Sequence, residues 1–175
     1  MTDDIQVRRI GAHEVDKRLE RLADILIDCV AHGDSVSFLP PLTRRRALMY
    51  WRSVADAVIC NGCVLLAAED GAGQIVGTTQ MMPAASENQL HSARVVKVMV
   101  DRSARRRGIG RRLISAVSDL ARKEGKTLLT LSTATGSAAE RLYASEGWQR
   151  VGIIPGCVLA PDGTYRSATF FYKHL

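Results

Sequence analysis

The sequence predicts an α/β protein in the broad sense: an α+β mixed sheet flanked by helices, in the order β-α-α-β-β-β-α-β-α-β-β. Three observations carry this. Hydrophobic residues recur with two different periods, near two in short β-branched runs and near 3.6 in longer stretches, and the two kinds interleave along the chain. Glycine, proline and asparagine cluster at the joints between those stretches. The 175 residues are 46% hydrophobic and 24% charged, the balance of an ordinary globular chain with a real core. Residues 1–175 are expected to form one domain, without repeats, low-complexity tracts or an interdomain linker.

Taken in order, Ile5 to Ile10 alternates and predicts the first strand. Val15, Leu19, Leu22, Leu26, Cys29 and Val30 recur at helical spacing and predict one helix ending near His32-Gly33. Asp34 to Pro41 breaks that pattern, and Thr43 to about Ile59 gives a second helix. The apolar connection between the helices, with Ser35 and Phe38, predicts one wall of a cleft. Cys63 to Glu69 and Ile75 to Met82 form a hairpin around Asp70-Gly71-Ala72-Gly73. Pro83 to Ser92 is polar and loop-like, and a strand begins near Ala93. Ile109, Leu113, Val117 and Leu120 share one face of the helix after it, which Gly125 ends. Thr127 to Ser132 is the next strand. Ser137 with Glu140 three residues on predicts a capped helix that stops at Gly147. Trp148 to Ile154 and Ser167 to Tyr172 are the last strands, around a loop carrying Pro155-Gly156 and Pro161-Asp162-Gly163.

The joint between the fourth strand and its helix carries the chemistry. It runs Arg105-Arg106-Arg107-Gly108-Ile109-Gly110-Arg111-Arg112. Glycines let backbone N–H groups approach an anion with no Cβ in the way, and a helix start adds unpaired donors and a positive dipole end. Such an end contributes roughly 0.3–1 kcal/mol at an exposed site. Arginines add forked bonds to phosphate oxygens. The stretch therefore predicts a pyrophosphate cradle. It is not a Walker A loop, because Arg111 and Arg112 follow Gly110 where lysine and serine or threonine belong, and the Gly-Lys-Thr at Gly125 to Thr127 has Leu120 in place of the first glycine. Nor is it a dinucleotide fingerprint, because Leu113 stands at the third glycine position.

A net charge of +6 raises nucleic acid as a partner. The excess is local, however, in Arg44 to Arg46, Arg105 to Arg107 and Arg111-Arg112, and a phosphorylated cofactor explains the later clusters equally well. No nucleic-acid-binding signature accompanies them, so no nucleic-acid partner is expected. The acidic start and the lack of a long apolar run predict a cytoplasmic chain with no membrane partner. Cys29, Cys60, Cys63 and Cys157 are then reduced thiols. Cys60-Asn61-Gly62-Cys63 lacks a second ligand pair, so no metal is expected.

The R-x-x-G-x-G run resembles the acyl-coenzyme A loop of the GCN5-related N-acetyltransferase (GNAT) superfamily, and the predicted element order is similar to the GNAT acyltransferase fold. A second stretch strengthens the resemblance. Gly136 to Trp148 places Ala139, Tyr143, Gly147 and Trp148 in register with the family's N-x-x-A-x-x-x-Y-x-x-x-G-[F/W], though Gly136 replaces the asparagine. More narrowly, Gly33 to Phe38, Lys97 to Val100 and Val151 to Gly156 resemble the tabtoxin-resistance acetyltransferases.

The resemblance implies acetyl-CoA as cosubstrate and a primary amine of a small molecule as acceptor, in a monomer or homodimer. Backbone groups along Val98, Met99 and Val100 would pair with the pantetheine arm, and a backbone N–H near Val100 would face the reacting carbonyl oxygen. Amides from Arg106 to Arg111 (Arg106, Arg107, Gly108, Ile109, Gly110, Arg111) would hold the pyrophosphate, with Arg105 and Ser137 as further cofactor contacts. Tyr143 would protonate the departing thiolate. The base is the weak point. Arg94 and Ser132 stand where relatives carry carboxylates, which turns the expected acceptor toward an amine beside an acid group, such as an amino acid or small peptide. Glu87 or His91 could serve through water. The alternatives left open are a non-catalytic coenzyme A sensor, a protein-modifying acetyltransferase with an open cleft, and a nucleic-acid binder.

Overall fold

The computed structural model describes residues 4–175. They form a seven-stranded sheet in the order β1-β2-β3-β4-β5-β7-β6. The strands are β1 (Gln6–Ile10), β2 (Val64–Glu69), β3 (Ile75–Pro83), β4 (Ser92–Val100), β5 (Leu128–Ala134), β6 (Gln149–Leu159) and β7 (Tyr165–His174). Every neighbouring pair is antiparallel except β4 with β5. The helices are α1 (Ala12–Lys17), α2 (Leu19–Ala31), α3 (Arg44–Ile59), α4 (Ile109–Lys123) and α5 (Ala138–Ser145).

Helices cover both faces of the sheet's first half, which is why β2 is buried along its whole length. Leu65 and Ala67 of β2 pack with Leu22, Ile25, Leu26 and Trp51 of α2 and α3. Val64 and Leu66, which point the other way, pack with Ile114, Val117 and Tyr143 of α4 and α5. Gly77 of β3 is where α4 presses closest. A Cβ there would sit 2.9 Å from the Met99 carbonyl oxygen and 3.2 Å from side-chain carbons of both Ile109 and Leu113.

Three element boundaries differ from the sequence expectation. The first helix is two, because Arg18 leaves the helical conformation (φ −118°, ψ 15°) and turns its guanidinium to Glu69 of β2, which also takes Arg8. The loop expected after Ile154 is mostly strand. β6 runs on to Leu159 through a register irregularity that absorbs Pro155 and Gly156, and only a tight turn (Ala160 N–H to Thr164 O, 2.8 Å) remains. As the outer edge strand, β6 leaves proline's missing N–H without consequence. The connection before β4 contains a short 3₁₀ turn at Glu87–Gln89.

Candidate active site

The site begins where the sheet stops being a sheet. β4 and β5 pair over three residues only, Ser92 with Leu128, Ala93 with Leu129 and Arg94 with Thr130. Beyond Arg94, β4 continues to Val100 along β3, while β5 continues to Ala134 along β7. The two strands part and leave a wedge. A cavity of about 270 Å3 lies in it, walled by Arg94, Lys97, Ser132, Thr133, Cys157 and Ser35 among others. A second, of about 300 Å3, adjoins it through Ser35, Ser37, Cys157 and Val158 and reaches Phe38 and Asp34. The extended β6 arm thus contributes a wall to both cavities through Cys157 and Val158.

Within the wedge, β4 carries a bulge. Thr78 pairs with Met99 and Gln80 with Val96, so Thr79 alone opposes Lys97 and Val98. Lys97 takes a left-handed conformation, φ +54°. The extra residue reverses the in-out alternation: Val95 packs with the α4 and α5 layer, yet Met99 packs with α1 to α3. Asp101 N–H donates to Val76 O, and the Met99 carbonyl faces β3. The backbone groups of Val98 and Val100 therefore face away from β3. The Val100 carbonyl already accepts a bond from Arg105 Nε at 3.1 Å.

Sequence reasoning missed Lys97 as a site residue. The signal was a lone lysine inside Val-Val-Lys-Val-Met-Val. Its Nζ lies 5.6 Å from the Phe38 ring centre and 5.7 Å from that of Tyr50. Burial, with Arg94 adding repulsion, lowers its pKa from 10.5 to about 8. Unfolded chains hold this proton up to a higher pH, so the unfavourable contribution is complete below pH 8 and disappears as pH rises toward 10.5. Lys97→Met is expected to raise Tm at pH 7, with the gain shrinking by pH 10, as followed by thermal unfolding in matched buffers.

At the wide end of the wedge, the loop into α4 has Arg106 at φ +66° and Gly108 at φ +75°. Left-handed residues in such a turn point successive N–H groups to one side, which makes an anion-binding concavity. Gly108, Arg106 and Arg107 are exposed, and nothing would meet a Cβ at Gly108, so its glycine answers to backbone conformation rather than crowding. The first N–H groups of α4, from Ile109, Gly110 and Arg111, lie in a turn that has no intrahelical acceptors. Gly110 instead leaves room for Leu142 of α5, whose Cδ2 would be 3.2 Å from a Cβ.

The arginines divide. Arg105 turns inward, its guanidinium on Asp34 and the Val100 carbonyl, so its side chain braces the loop against β4 and the α2–α3 connection. Burial and the Asp34 charge push the neighbouring Cys29 thiol up to about 12, which keeps it protonated. Arg111 Nε pairs with Glu146 at 2.8 Å, and Arg112 reaches Ile5 O at 2.9 Å.

Tyr143 is buried (5% exposed) on α5, its ring centre 6.0 Å from those of Trp148 and Phe171. Its hydroxyl has no protein hydrogen-bond partner among the described residues, yet it is absent from the polar atoms sealed away from solvent. Burial raises its pKa to about 12. Ser137 Oγ accepts from Glu140 N–H at 3.1 Å and lies 3.2 Å from Thr133 Oγ1, so its side chain caps α5. The Glu140 carboxylate answers one residue earlier than expected, at Gly136 N–H.

Arg94 and Ser132 are brought together: Arg94 Nη2 donates to Ser132 Oγ at 3.1 Å across the start of the wedge. Glu87 and His91 are not in it. They precede Ser92, at the paired end of the two strands, and the cavity walls include neither. Among the described residues, no group of three or more His, Cys, Asp or Glu side chains is placed to hold a metal ion, and no helix is long and apolar enough to cross a membrane.

Comparison with known proteins bears on this geometry. A family model described as an acetyltransferase (GNAT) domain matches residues 61–150. An N-acetyltransferase of uncharacterised role, YhfO of Bacillus subtilis strain 168, is 33% identical over 101 residues, 56% of this chain and 67% of its own. Another, from the hisH-hisA intergenic region of Azospirillum brasilense, is 31% identical over 130 residues, 73% of this chain and 74% of its own. Among solved structures, a GCN5-related N-acetyltransferase from Kribbella flavida superimposes with a TM-score of 0.79 at 24% identity, covering 98% of each chain. The Salmonella typhimurium protein YncA, solved with its cofactor acetyl-CoA, gives 0.78 at 20% identity over 98% of this chain and 94% of its own. The structural likenesses establish the fold. The family model spans just over half of the chain, and so the chain belongs to the GNAT superfamily of acetyl-CoA-dependent N-acetyltransferases.

Proposed function

We propose that the enzyme acetylates the primary amine of a small molecule that also carries an acid group, of the amino-acid or small-peptide kind, and that residues 4–175 work as one catalytic unit. The observation that carries this reading is the wedge between β4 and β5, which opens onto a left-handed arginine-glycine loop at one end and onto Arg94 and Lys97 on its wall. Acetyl-CoA supplies an acetyl group already activated as a thioester. Val98 and Val100 offer outward-facing backbone groups along the wedge, with the Val100 carbonyl held by Arg105. The loop from Arg106 to Arg111 offers its N–H groups to the pyrophosphate. Tyr143 offers a phenolic proton to the leaving sulfur. The cavity wall shared by Arg94, Lys97 and Ser132 includes no carboxylate, which disfavours a purely cationic amine and favours an acceptor with its own negative charge.

The test is thiol release from acetyl-CoA with a panel of amino acids, dipeptides, simple amines and amine antibiotics, with cofactor binding followed calorimetrically. Acceptor-dependent release, greatest for amines that carry a carboxylate, is the expected result. Preference for polyamines or aminoglycosides would overturn the acidic-acceptor reading. Cofactor binding with no release by any of these, nor with a protein extract, would favour a coenzyme A sensor instead.

A further inference from the structure

Of the two basic side chains in the wedge wall, Arg94 is tied to Ser132 and Lys97 is left without a polar partner among the described residues. Among the described residues Lys97 makes no hydrogen bond and no ion pair; its only close partners are the faces of Phe38 and Tyr50. Its position follows from the bulge. With regular alternation Lys97 would share the face of Ala93 and Val95, against α4 and α5; the inserted residue puts it on the opposite side, in the cavity wall beside Arg94 and Ser132. That placement uses a left-handed conformation that a side-chain-bearing residue adopts at a cost.

We propose that Lys97, in its neutral form, is the general base that takes the proton from the acceptor's ammonium group. The inference rests on the acetyl-transfer reading above and supplies the base that Arg94 and Ser132 do not. The surroundings favour the neutral amine. Arg94 on its own strand repels a second cation, and burial penalises it further. From α3, the Tyr50 hydroxyl is tied to Gln80 of β3 and is pushed up by burial, so it stays uncharged. From β5 come the neutral hydroxyls of Ser132 and Thr133, and from β6 the Cys157 thiol. Asp34, in the adjoining cavity, is held by Arg105. Burial and Arg94 lower its pKa to about 8, near a working pH, and the aromatic faces, which attract an ammonium, act in the opposite direction.

The proton balance closes. The ammonium gives one proton to Lys97, and the neutral nitrogen then forms the C–N bond as the C–S bond breaks. Tyr143 gives its proton to the sulfur and recovers one from the acylated nitrogen through solvent. Lys97 releases its proton to solvent, so that ammonium and thioester become amide, thiol and one free proton.

The test is the pH profile of kcat/KM for wild type, Lys97→Met and Lys97→Arg, with two acceptors whose amines differ in pKa. Wild type is expected to rise to an inflection near pH 8 that does not move between acceptors. Both variants are expected to lose that inflection and about 100-fold or more in rate at pH 8, while acetyl-CoA affinity holds. Arginine keeps the charge but cannot take the proton, so an active Lys97→Arg enzyme would overturn the base role and leave Lys97 as an anion contact. A rising limb whose inflection follows the acceptor's own pKa would also overturn it. If wild type shows no acceptor-dependent release, the acetyl-transfer reading fails first. If wild type turns over and Lys97→Met matches it, only the base assignment fails.

Discussion

Replacing Tyr143 with phenylalanine is expected to lower kcat by about 100-fold or more while leaving both acetyl-CoA affinity and Tm unchanged. The separation is clean because the ring and the hydroxyl do different things. The ring packs against Trp148 and Phe171, and phenylalanine keeps those contacts. Among the described residues the hydroxyl has no partner to orphan, so removing it costs no buried hydrogen bond there. A phenol pushed up to about 12 remains protonated throughout the working range, and its own ionisation should add no alkaline limb below pH 10. That same shift makes it a weaker acid than a free phenol, so transfer to an ordinary thiolate would be uphill. Burial raises the basicity of a thiolate in the same dry surroundings, which restores part of the match. Equal turnover of wild type and Tyr143→Phe in a thiol-release assay would remove the residue from the acid role.

Gly77→Ala should be the most damaging single-methyl change in the sheet. The new Cβ meets a backbone carbonyl, Met99 O at 2.9 Å, that cannot swing aside as a flexible side chain can, together with Ile109 and Leu113 at 3.2 Å. Overpacking of this kind costs about 1–3 kcal/mol. For a chain of this size, at about 2–4 °C per kcal/mol, that lowers Tm by roughly 2–12 °C, measured by thermal unfolding. Ile109 begins α4, so pushing it away also disturbs the Arg106 to Arg111 loop proposed to hold the pyrophosphate, and weaker acetyl-CoA binding should accompany the lower Tm. Gly71→Ala is the control, since nothing lies within 4 Å of a Cβ there; a Tm as high for Gly77→Ala as for Gly71→Ala would contradict the crowding argument.

What was legible in the sequence was local. The strand before Arg105, the glycine turn and the Ile109–Leu113–Val117 stripe are set by neighbours within a few residues, and the structure follows them closely. The Ser137 cap likewise needed only Glu140. The break at Arg18 escaped notice because a one-residue interruption leaves the helical spacing of Val15, Leu19 and Leu22 undisturbed. The length of β6 escaped it because Pro155 and Gly156 signal a loop in general but are tolerated on a strand with a free edge. The bulge at Lys97 was hidden for a third reason. Residues on both sides of it are apolar because both faces of β4 find packing partners there, so a reversal of alternation leaves no trace in the hydrophobic pattern. The side-chain roles of Arg105 and Lys97 depend on partners from distant elements, Asp34 for one and Phe38 with Tyr50 for the other.

The short pairing of β4 with β5 has a mechanical consequence. Three residue pairs join the strands that diverge around the wedge, with the Arg94–Ser132 bond bridging its start. Those pairs are a fulcrum, and the strands beyond them are its arms. Val95 to Val100 extends about 20 Å at roughly 3.3 Å per residue, so each degree of rotation at the fulcrum moves the far tip by about 0.3 Å. The width at the loop end is thereby set near Ala93 and Leu129, far from the arginines themselves, and a slight repacking at the narrow end is geared up into a large displacement at the arginine-glycine loop.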